Sequence, residues 1–455
     1  MSKKITRKIS PVAQKAVAHY IEQSNVLNNR FDRSDVVAGR LRAQAIFAEQ
    51  AFPTQRDEDW QYTKLTDFVQ NHFKVLNKTM VEHSDLHAYH PSFAVTRIVF
   101  VDGWFDEELS DDLSELSRGV TIESLRDVYD IKDGADHLFA RESAINKEPF
   151  GVLNSMLLAD GYYLQVDDHV ALEQPIFILN VQTQQNHISN IRNHVVLGEN
   201  AELTLVEKYV SLNTTEDFKA CTNVLSEITV AKSASFKQIV IQQQGAGTYY
   251  FNNQFVYQAE QSHFNSFYAG LGSVLSRHQN HLSMDGEHIE SNQSSACLGR
   301  EKQVVDSRTD TLHSQVGGIS QQLHKYVLDN SAVGVFNGMI YVDRQAQKTD
   351  GQMDNKNLLL SERAKMNSKP QLEIYADDVK CSHGSATGQI NKDQIFYLQA
   401  RGIPRAQAME MITQAFLMEP AEMITNNQIQ QWVMDILAKQ LNAKKGLKDV
   451  EKVTE

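Results

Sequence analysis

Apolar and polar residues alternate along the middle of this chain, and a helical period shows only at its two ends. From about residue 95 the texture is that of strands, beginning with "TRIVFVDGWF", a short β-rich run that ends at a turn. From about 160 to 390 short strand-like pieces follow one another, among them "HVVLGENAELTLVEKYV", "SEITVAKSASFKQIVIQQQ" and "PQLEIYADDVKC". Ala201, Leu203 and Leu205 alternate with Glu202 and Thr204, the period-two pattern of a strand with one buried face. Small polar turns such as "GENA", "AKSAS" and "DGEH" separate the pieces. No helical pattern of ten or more residues interrupts them, which rules out an alternating βαβ fold. A run of strands this long must become a sandwich, barrel, propeller or β-helix. Asn, Gln and Ser are dense within the strands. Stacked rungs can ladder such side chains, so a parallel β-helix is favoured over a sandwich.

The ends read as helices. Ser10 is a plausible N-cap with Pro11 at the first helical position, and Val17, Tyr20 and Ile21 fall on one face. A second helix is expected after Ser34, with Val37, Leu41, Ala45 and Ala48 as its apolar stripe. Residues 51–65, "AFPTQRDEDWQYTKL", read as an ordered connection in which Trp60 anchors the N-terminal region. Near the other end, Asn391 can cap a helix with Gln394 as its capping-box partner, and Gly402 ends it. Pro404 opens the next helix, with Ala408, Ile412 and Phe416 on one face, and Pro420 stops it. A last amphipathic helix carries Ile429, Trp432, Val433, Ile436 and Leu437 on one side. The charged tail after Gly446 is expected to fray.

The chain has 455 residues, too many for one ordinary compact core, and its 41% hydrophobic and 22% charged content fits a soluble globular protein. Its net charge of -13 gives no general attraction to nucleic acid or an anionic membrane. The basic start "MSKKITRKIS" has no apolar segment after it, so no signal peptide is expected, and no stretch approaches bilayer-spanning length. Three widely separated cysteines, Cys221, Cys297 and Cys381, argue against a disulfide framework and for a reducing cytoplasm. They also rule out a CxxC-type zinc or ferredoxin site within this chain.

The candidate chemistry centres on "DDVKCSHGSATG", residues 377–388. Cys381 and His383 are two apart, so in a strand they share a face. They could share a metal, or the histidine could depress the thiol pKa. The plainer reading is a small buried cysteine beside a hydrogen-bonded histidine. Two ligands cannot close a four-ligand site, a shortage that a site made between two chains would remove. A Cys-His-Asp hydrolase has Asp377 and Asp378 close by but no nucleophile elbow. A β-helix carbohydrate-active enzyme could use the alternating Asp306, Arg308 and Asp310 of "QVVDSRTDTLH", against the simpler reading of a solvated strand surface. There is no GxxxxGK[ST], hence no P-loop. The C-terminal amphipathic helices are core or cap, or a docking platform where a face stays exposed.

Several stretches carry a resemblance. "VFNGMIYVDRQAQKTDGQMDNKNLLLS", "PQLEIYADDVKCSHGSATGQI" and "IFYLQARGI" run in order across residues 335–403 and resemble the shared core of the SufB/SufD family of iron–sulfur cluster assembly proteins. "VDSRTDTLHSQ" and "HKYVLDNSAVGVFNG" extend the similarity upstream. "FPTQRDEDWQYTKL" and "FVDGWF" look like the SufD branch, as does the scarcity of cysteine. The resemblance covers most of the chain and is weakest in the first 45 and last 20 residues.

It implies a mainly β fold: a right-handed parallel β-helix core at 96–390, flanked by an N-terminal helical region at 1–95 and a C-terminal one at 391–455. It implies a non-catalytic scaffold subunit of a SufBCD-type complex that pairs with a SufB-like paralogue through the β-helix. The C-terminal helices, about 391–440, would bind the ATPase SufC. ATP would enter only through that partner, whose dimerisation would pull on those helices and open the interface. Cys381 and His383 carry over as the residues where a transient iron–sulfur cluster forms at the interface with SufB, bound for apo iron–sulfur proteins. His383 would ligate iron or cluster, and Cys381 would be an auxiliary ligand or sulfur-handling thiol. The rival within the family is a SufB-like principal scaffold. A reduced flavin has been linked with such complexes, but no flavin motif is visible here. Whether the isolated chain forms a homodimer stays open. Two departures stand out: "CSHGSATG" where the family commonly reads "CSHGATVG", and "TDGQ" at 349–352 where it commonly reads "TDAxQ".

Overall fold

A computed structural model of the chain describes residues 9–28, 34–130 and 141–443. The tail after Gly446 lies outside them. The period-two segments coil into a β-solenoid of about eight turns. Each turn gives one strand to each of two sheets, and each strand pairs in parallel with the strand one turn away. Sheet one runs from β4 (Asp160–Val166) to β18 (Lys365–Ile374), and sheet two from β5 (Ile176–Gln182) to β19 (Lys380–Gly388). Ile188, Cys221, Tyr249, Leu275, Val304, Val333 and Lys365 head successive strands of sheet one, 26 to 33 residues apart. That uneven spacing explains why no clean repeat is visible in the sequence.

Inward positions carry the core. Leu203, Leu205 and Phe236 belong to an apolar cluster toward one side, while Tyr209, Tyr250, Tyr268, Cys297 and Tyr326 belong to another. Between them lie polar residues, among them Glu207, Gln238, His278, Gln293, Gln322 and His324. Several of them are satisfied by neighbouring turns. Glu207 accepts from Tyr162, Tyr209 and Gln238 at 2.8–3.0 Å, and Thr309 donates to Gln322 at 2.7 Å. The expected amide ladder exists where Asn223 donates to Asn190 at 3.0 Å.

Helices cover both outer faces. On sheet one lie α1 (Pro11–Asn28), α2 (Ser34–Gln50), α3 (Thr66–Asn71) and α4 (Pro149–Met156). Tyr20, Phe47, Phe52, Trp60, Phe68 and Phe150 pack there against Tyr249 and Phe251, with the Phe150 and Phe251 rings stacked at 3.5 Å. Each such ring contributes about 1.5–3 kcal/mol of burial. Trp60 is the expected anchor, buried and stacked on Phe150. The stripe expected on α2 is displaced: Val36, Arg40, Ala43 and Phe47 are buried, while Leu41, Ala45 and Ala48 are exposed. The buried Arg40, bonded to the Leu158 carbonyl, defines a face that an apolar count misses.

The C-terminal helices α5 (Lys392–Gln399), α6 (Arg405–Met418) and α7 (Asn427–Asn442) follow the last strand. Leu417, Ile429, Val433 and Leu437 pack on Val206, Ile239, Ile241 and Phe267 of sheet two. Asn391 caps α5 through the Asp393 amide, whereas Gln394 is not seen reciprocating as a capping-box partner. No described helix is long and apolar enough to cross a membrane.

The two ends of the solenoid differ. At the start, β1 (Thr96–Val101) and β2 (Trp104–Asp106) form a hairpin through Asp102 and Gly103, both with positive φ, as a tight two-residue turn requires. There β3 (Val120–Ser124) also adds antiparallel to β4. At the other end β18 and β19 terminate their sheets, so each keeps an outer edge unpaired among the described residues.

Candidate functional site

The open end is where Cys381 and His383 lie. Cys381 pairs with Gly351 and His383 with Met353, both buried inward positions of the turn before. The column that ends in His383 runs back through Met353, Gln322, Gln293, Ser266 and Gln238. Each earlier member is covered by a further turn. His383 is exposed because none follows. Cys381 is half-buried against the inner cluster that holds Tyr326, Ile340 and Met353. Sequence spacing placed the two residues on one face, and the solenoid adds that this face is its uncovered interior.

The same rule extends to two residues that sequence reasoning missed. Ser385 and Thr387 continue the inward row opposite Asn355 and Asn357. Ser385 donates to Ser368 at 2.9 Å, and Ser368 donates to Asn355 at 2.8 Å. Asn357 reaches Thr387 at 3.1 Å. These bonds fix the rim of the open end and tie it to the polar interior.

Burial pushes the Cys381 thiol above its ordinary value. The Gly351 amide pulls it back in part, and the Asp350 carboxylate pushes it further up. At neutral pH the group is therefore a thiol, and a metal ligand must first lose that proton. Cys221 and Cys297 are fully buried, with Cys297 pushed up to about 12. Among the described residues no group of three or more His, Cys, Asp or Glu is placed to hold a metal. Cys381 and His383 thus offer two ligands and leave the remaining positions open.

Asp306, Arg308 and Asp310 point outward from sheet one, and the reading of a solvated surface fails at Asp306. Asp306 is 1% exposed, pairs with Arg277 at 2.6 Å and accepts from Thr63. The Arg277 guanidinium lies 3.9 Å from the centre of the Trp60 ring. Arg308 pairs with Asp59 at 2.9 Å, and Asp310 faces His281. Residues 59–63 cover Asp306 and Arg308, which are therefore neither solvated nor open to a saccharide, while the Asp310 carboxylate stays 41% exposed. A cavity of about 770 Å³ among Lys78, Asp111, Arg126 and Asp160 lies by the first turns, at the opposite end from Cys381.

A second exposed feature lies just after the open end. Phe396 is 73% exposed and Tyr397 56%, both on α5, and Met411 of α6 is also exposed. Phe396 and Tyr397 are adjacent on α5, so two aromatic rings stand bare side by side in sequence. Their signal in sequence is "IFYLQ", where only Ile395 is taken up by the core.

Comparison with known proteins agrees with this geometry. Residues 179–416 match the family model for the SufBD core domain of SUF-system iron–sulfur cluster assembly, and residues 11–178 match the SufBD N-terminal region. The chain is 32% identical to the iron–sulfur cluster assembly protein SufD of Escherichia coli over 86% of its length and 89% of that protein. It is 27% identical to an iron–sulfur cluster assembly SufBD family protein of Synechocystis, over 92% of both chains. With SufD of Bacillus subtilis it shares 26% identity over 64% of each. A solenoid with helical flanks, a Cys-His pair on its last turn and a family match over nearly the whole chain converge: this protein belongs to the SufB/SufD family of iron–sulfur cluster assembly proteins, in its SufD branch.

Proposed function

We propose that the chain is a non-catalytic scaffold subunit of a SufBCD-type complex, and that its open end forms a shared cluster site with a SufB-like paralogue. The observation that carries this is the pair Cys381 and His383, set side by side on an uncovered turn with too few ligands of its own. The free edges of β18 and β19 suit main-chain pairing with another solenoid. His383 supplies an imidazole nitrogen to iron or to the nascent cluster. Cys381 supplies a thiolate when iron binds and its proton is released to water. The partner contributes the remaining ligands, and the cluster is cargo for apo iron–sulfur proteins.

The SufC-type ATPase docks on α5 and α6 around Phe396, Tyr397 and Met411. ATP enters only through that partner, and reduced flavin is assigned to the complex rather than to any residue here. The three regions 1–95, 96–390 and 391–455 then divide the work into cover, scaffold and docking. The test is co-expression with the SufB-like and ATPase partners, wild type against His383→Ala, with anaerobic purification and counts of iron and sulfide. A mutant complex that assembles without cluster supports the shared site. Equal cluster in both makes His383 structural and leaves the chemistry with the SufB-like chain.

A further inference from the structure

Residues 419–442, a short 3₁₀ turn followed by α7, lie across the outer face of sheet two. Ile424, Ile429, Val433, Leu437 and Leu441 seat this segment on Val206, Ile239 and Phe267. Polar fastenings hold it at two places. At its start Glu419 pairs with the buried Lys325. At its end Arg300 binds the carbonyls of Gln440, at 2.8 Å, and Leu441, which the helix leaves free. Gln440 also donates to the Leu271 carbonyl at 3.0 Å.

Two features work against this seating. The first is Lys208 of β7 (Glu202–Ser211), 3% exposed beneath α7. Its ammonium has one carbonyl partner, Tyr89 at 3.3 Å, and the rings of Trp432 at 5.0 Å and Tyr89 at 5.6 Å. The other charged or titratable groups that face it are Lys439 of α7 and His90. No described carboxylate pairs with it. An ammonium held this way gives up most of its hydration for little return. Burial first, and then Lys439, pull its pKa down to about 8. The second feature is an open cavity of about 280 Å³ beside the first part of the segment. Its roof is Met423, Ile424 and Ile429, and its floor includes Lys237, Asn265 and Phe267. Ile424 and Ile429 stay packed on the sheet, and the segment leaves the space beside them unfilled, without the contacts that a closer fit would give.

We infer that residues 419–442 form a strap built to lift from the solenoid while its turns stay closed, with the buried Lys208 ammonium and the cavity keeping it loosely seated. Lifting hydrates Lys208 and bares the apolar stripe of Val206, Ile239 and Phe267. The property belongs to this chain alone and needs neither the cluster site nor the ATPase. Amide hydrogen exchange of the full chain tests it, in wild type, Lys208→Met and Glu419→Gln. In wild type, α7 should exchange at least tenfold faster than the central turns around Val240 and Tyr268. Lys208→Met, which keeps the length and removes the charge, should slow α7 tenfold or more and leave the turns unchanged. Glu419→Gln should speed α7. The inference is overturned if α7 exchanges in step with the turns, or if Lys208→Met leaves it unchanged or faster. Failure of Lys208→Met to fold overturns it too, because removing a charge that weakens the seating cannot cost the fold.

Discussion

Cys381 rests on Gly351: the two are register partners across the last turns, and a Cβ added at Gly351 would stand 3.3 Å from the Cys381 sulfur. That is tighter than ordinary contact, so any larger residue must push the thiol by a few tenths of an ångström toward the open end. The effect of the glycine is to let the cysteine sit deeper. Burial and Asp350 keep the group protonated at neutral pH. Alkylation of the native chain should therefore be slow at pH 7 and confined to Cys381, since Cys221 and Cys297 are fully buried. Below the thiol pKa the rate should climb about tenfold per pH unit, still rising at pH 8.5. Gly351→Ala and Asp350→Asn should each raise the rate at pH 7, the first through exposure and the second by removing a charge that disfavours the thiolate. Mass-mapped iodoacetamide kinetics would check this, and a plateau below pH 8 would contradict it.

The solenoid interior should make the fold sensitive to acid. His278 is buried and held down to about 3, by burial first and then by His324, and burial alone holds His324 at about 3. Both rings stay neutral in the folded chain and protonate near pH 6.5 once it unfolds. The unfolded state then binds more protons at every pH below about 6.5, so stability is full above that value and is lost progressively toward pH 3. Each ring costs about 1.4 kcal/mol per pH unit, or about 2 kcal/mol at pH 5. His278 stacks on Tyr268 at 4.1 Å, and its Nδ1 has no partner among the described residues. His278→Phe keeps the stack and should remove about 2 kcal/mol of the loss between pH 7 and pH 5. Urea midpoints at the two pH values decide the matter; an unchanged difference rules His278 out as a source.

How much of this was legible in the sequence depends on the range of the contacts. The strand texture, the polar interior and the shared face of Cys381 and His383 follow from a period of two, which is local. So do the Ser10 and Asn391 caps, which bond to Ala13 and Asp393. The buried stripe of α2 slipped because Arg40 turns inward to a carbonyl 118 residues away. The fate of Asp306 was hidden for the same reason, since its hydroxyl partner Thr63 is 243 residues distant. No spacing rule reports that a helical region folds back over a strand. The exposure of His383 depends on its turn being the last, which a residue pattern does not state.

The Asp306 clasp should therefore respond to mutation as structure. Asp306→Ala leaves Arg277, 2% exposed, as an unpaired buried cation beneath Trp60. The expected loss is about 3–5 kcal/mol. Replacing the pair together, Arg277→Met with Asp306→Leu, should recover most of that loss, because no lone charge remains. Asp310→Asn is expected to change stability by less than about 1 kcal/mol, its carboxylate being 41% exposed. Chemical denaturation of the four chains would show the pattern. A double variant no better than Asp306→Ala would mean that packing, and not the charge, governs this face.

The docking proposed for Phe396 and Tyr397 can be tested apart from folding. Both side chains of α5 stand largely in solvent, while Ile395 beside them is 6% exposed and holds the helix to the core. Phe396→Ser with Tyr397→Ser should leave the unfolding free energy of the isolated chain within about 0.5 kcal/mol, as expected at exposed positions. The Arg401 guanidinium, 3.6 Å from the centre of the Tyr397 ring, loses its cover at little cost because it too is exposed. Aromatic anchors at the centre of an interface contribute about 2 kcal/mol or more each when truncated. The same double variant should therefore weaken retention of the ATPase by a hundredfold or more while keeping the SufB-like partner. Ile395→Ser is the opposite control: it should destabilise the chain first and reduce ATPase retention only through that loss. Full ATPase retention by the Phe396 and Tyr397 variant would move the docking surface away from α5.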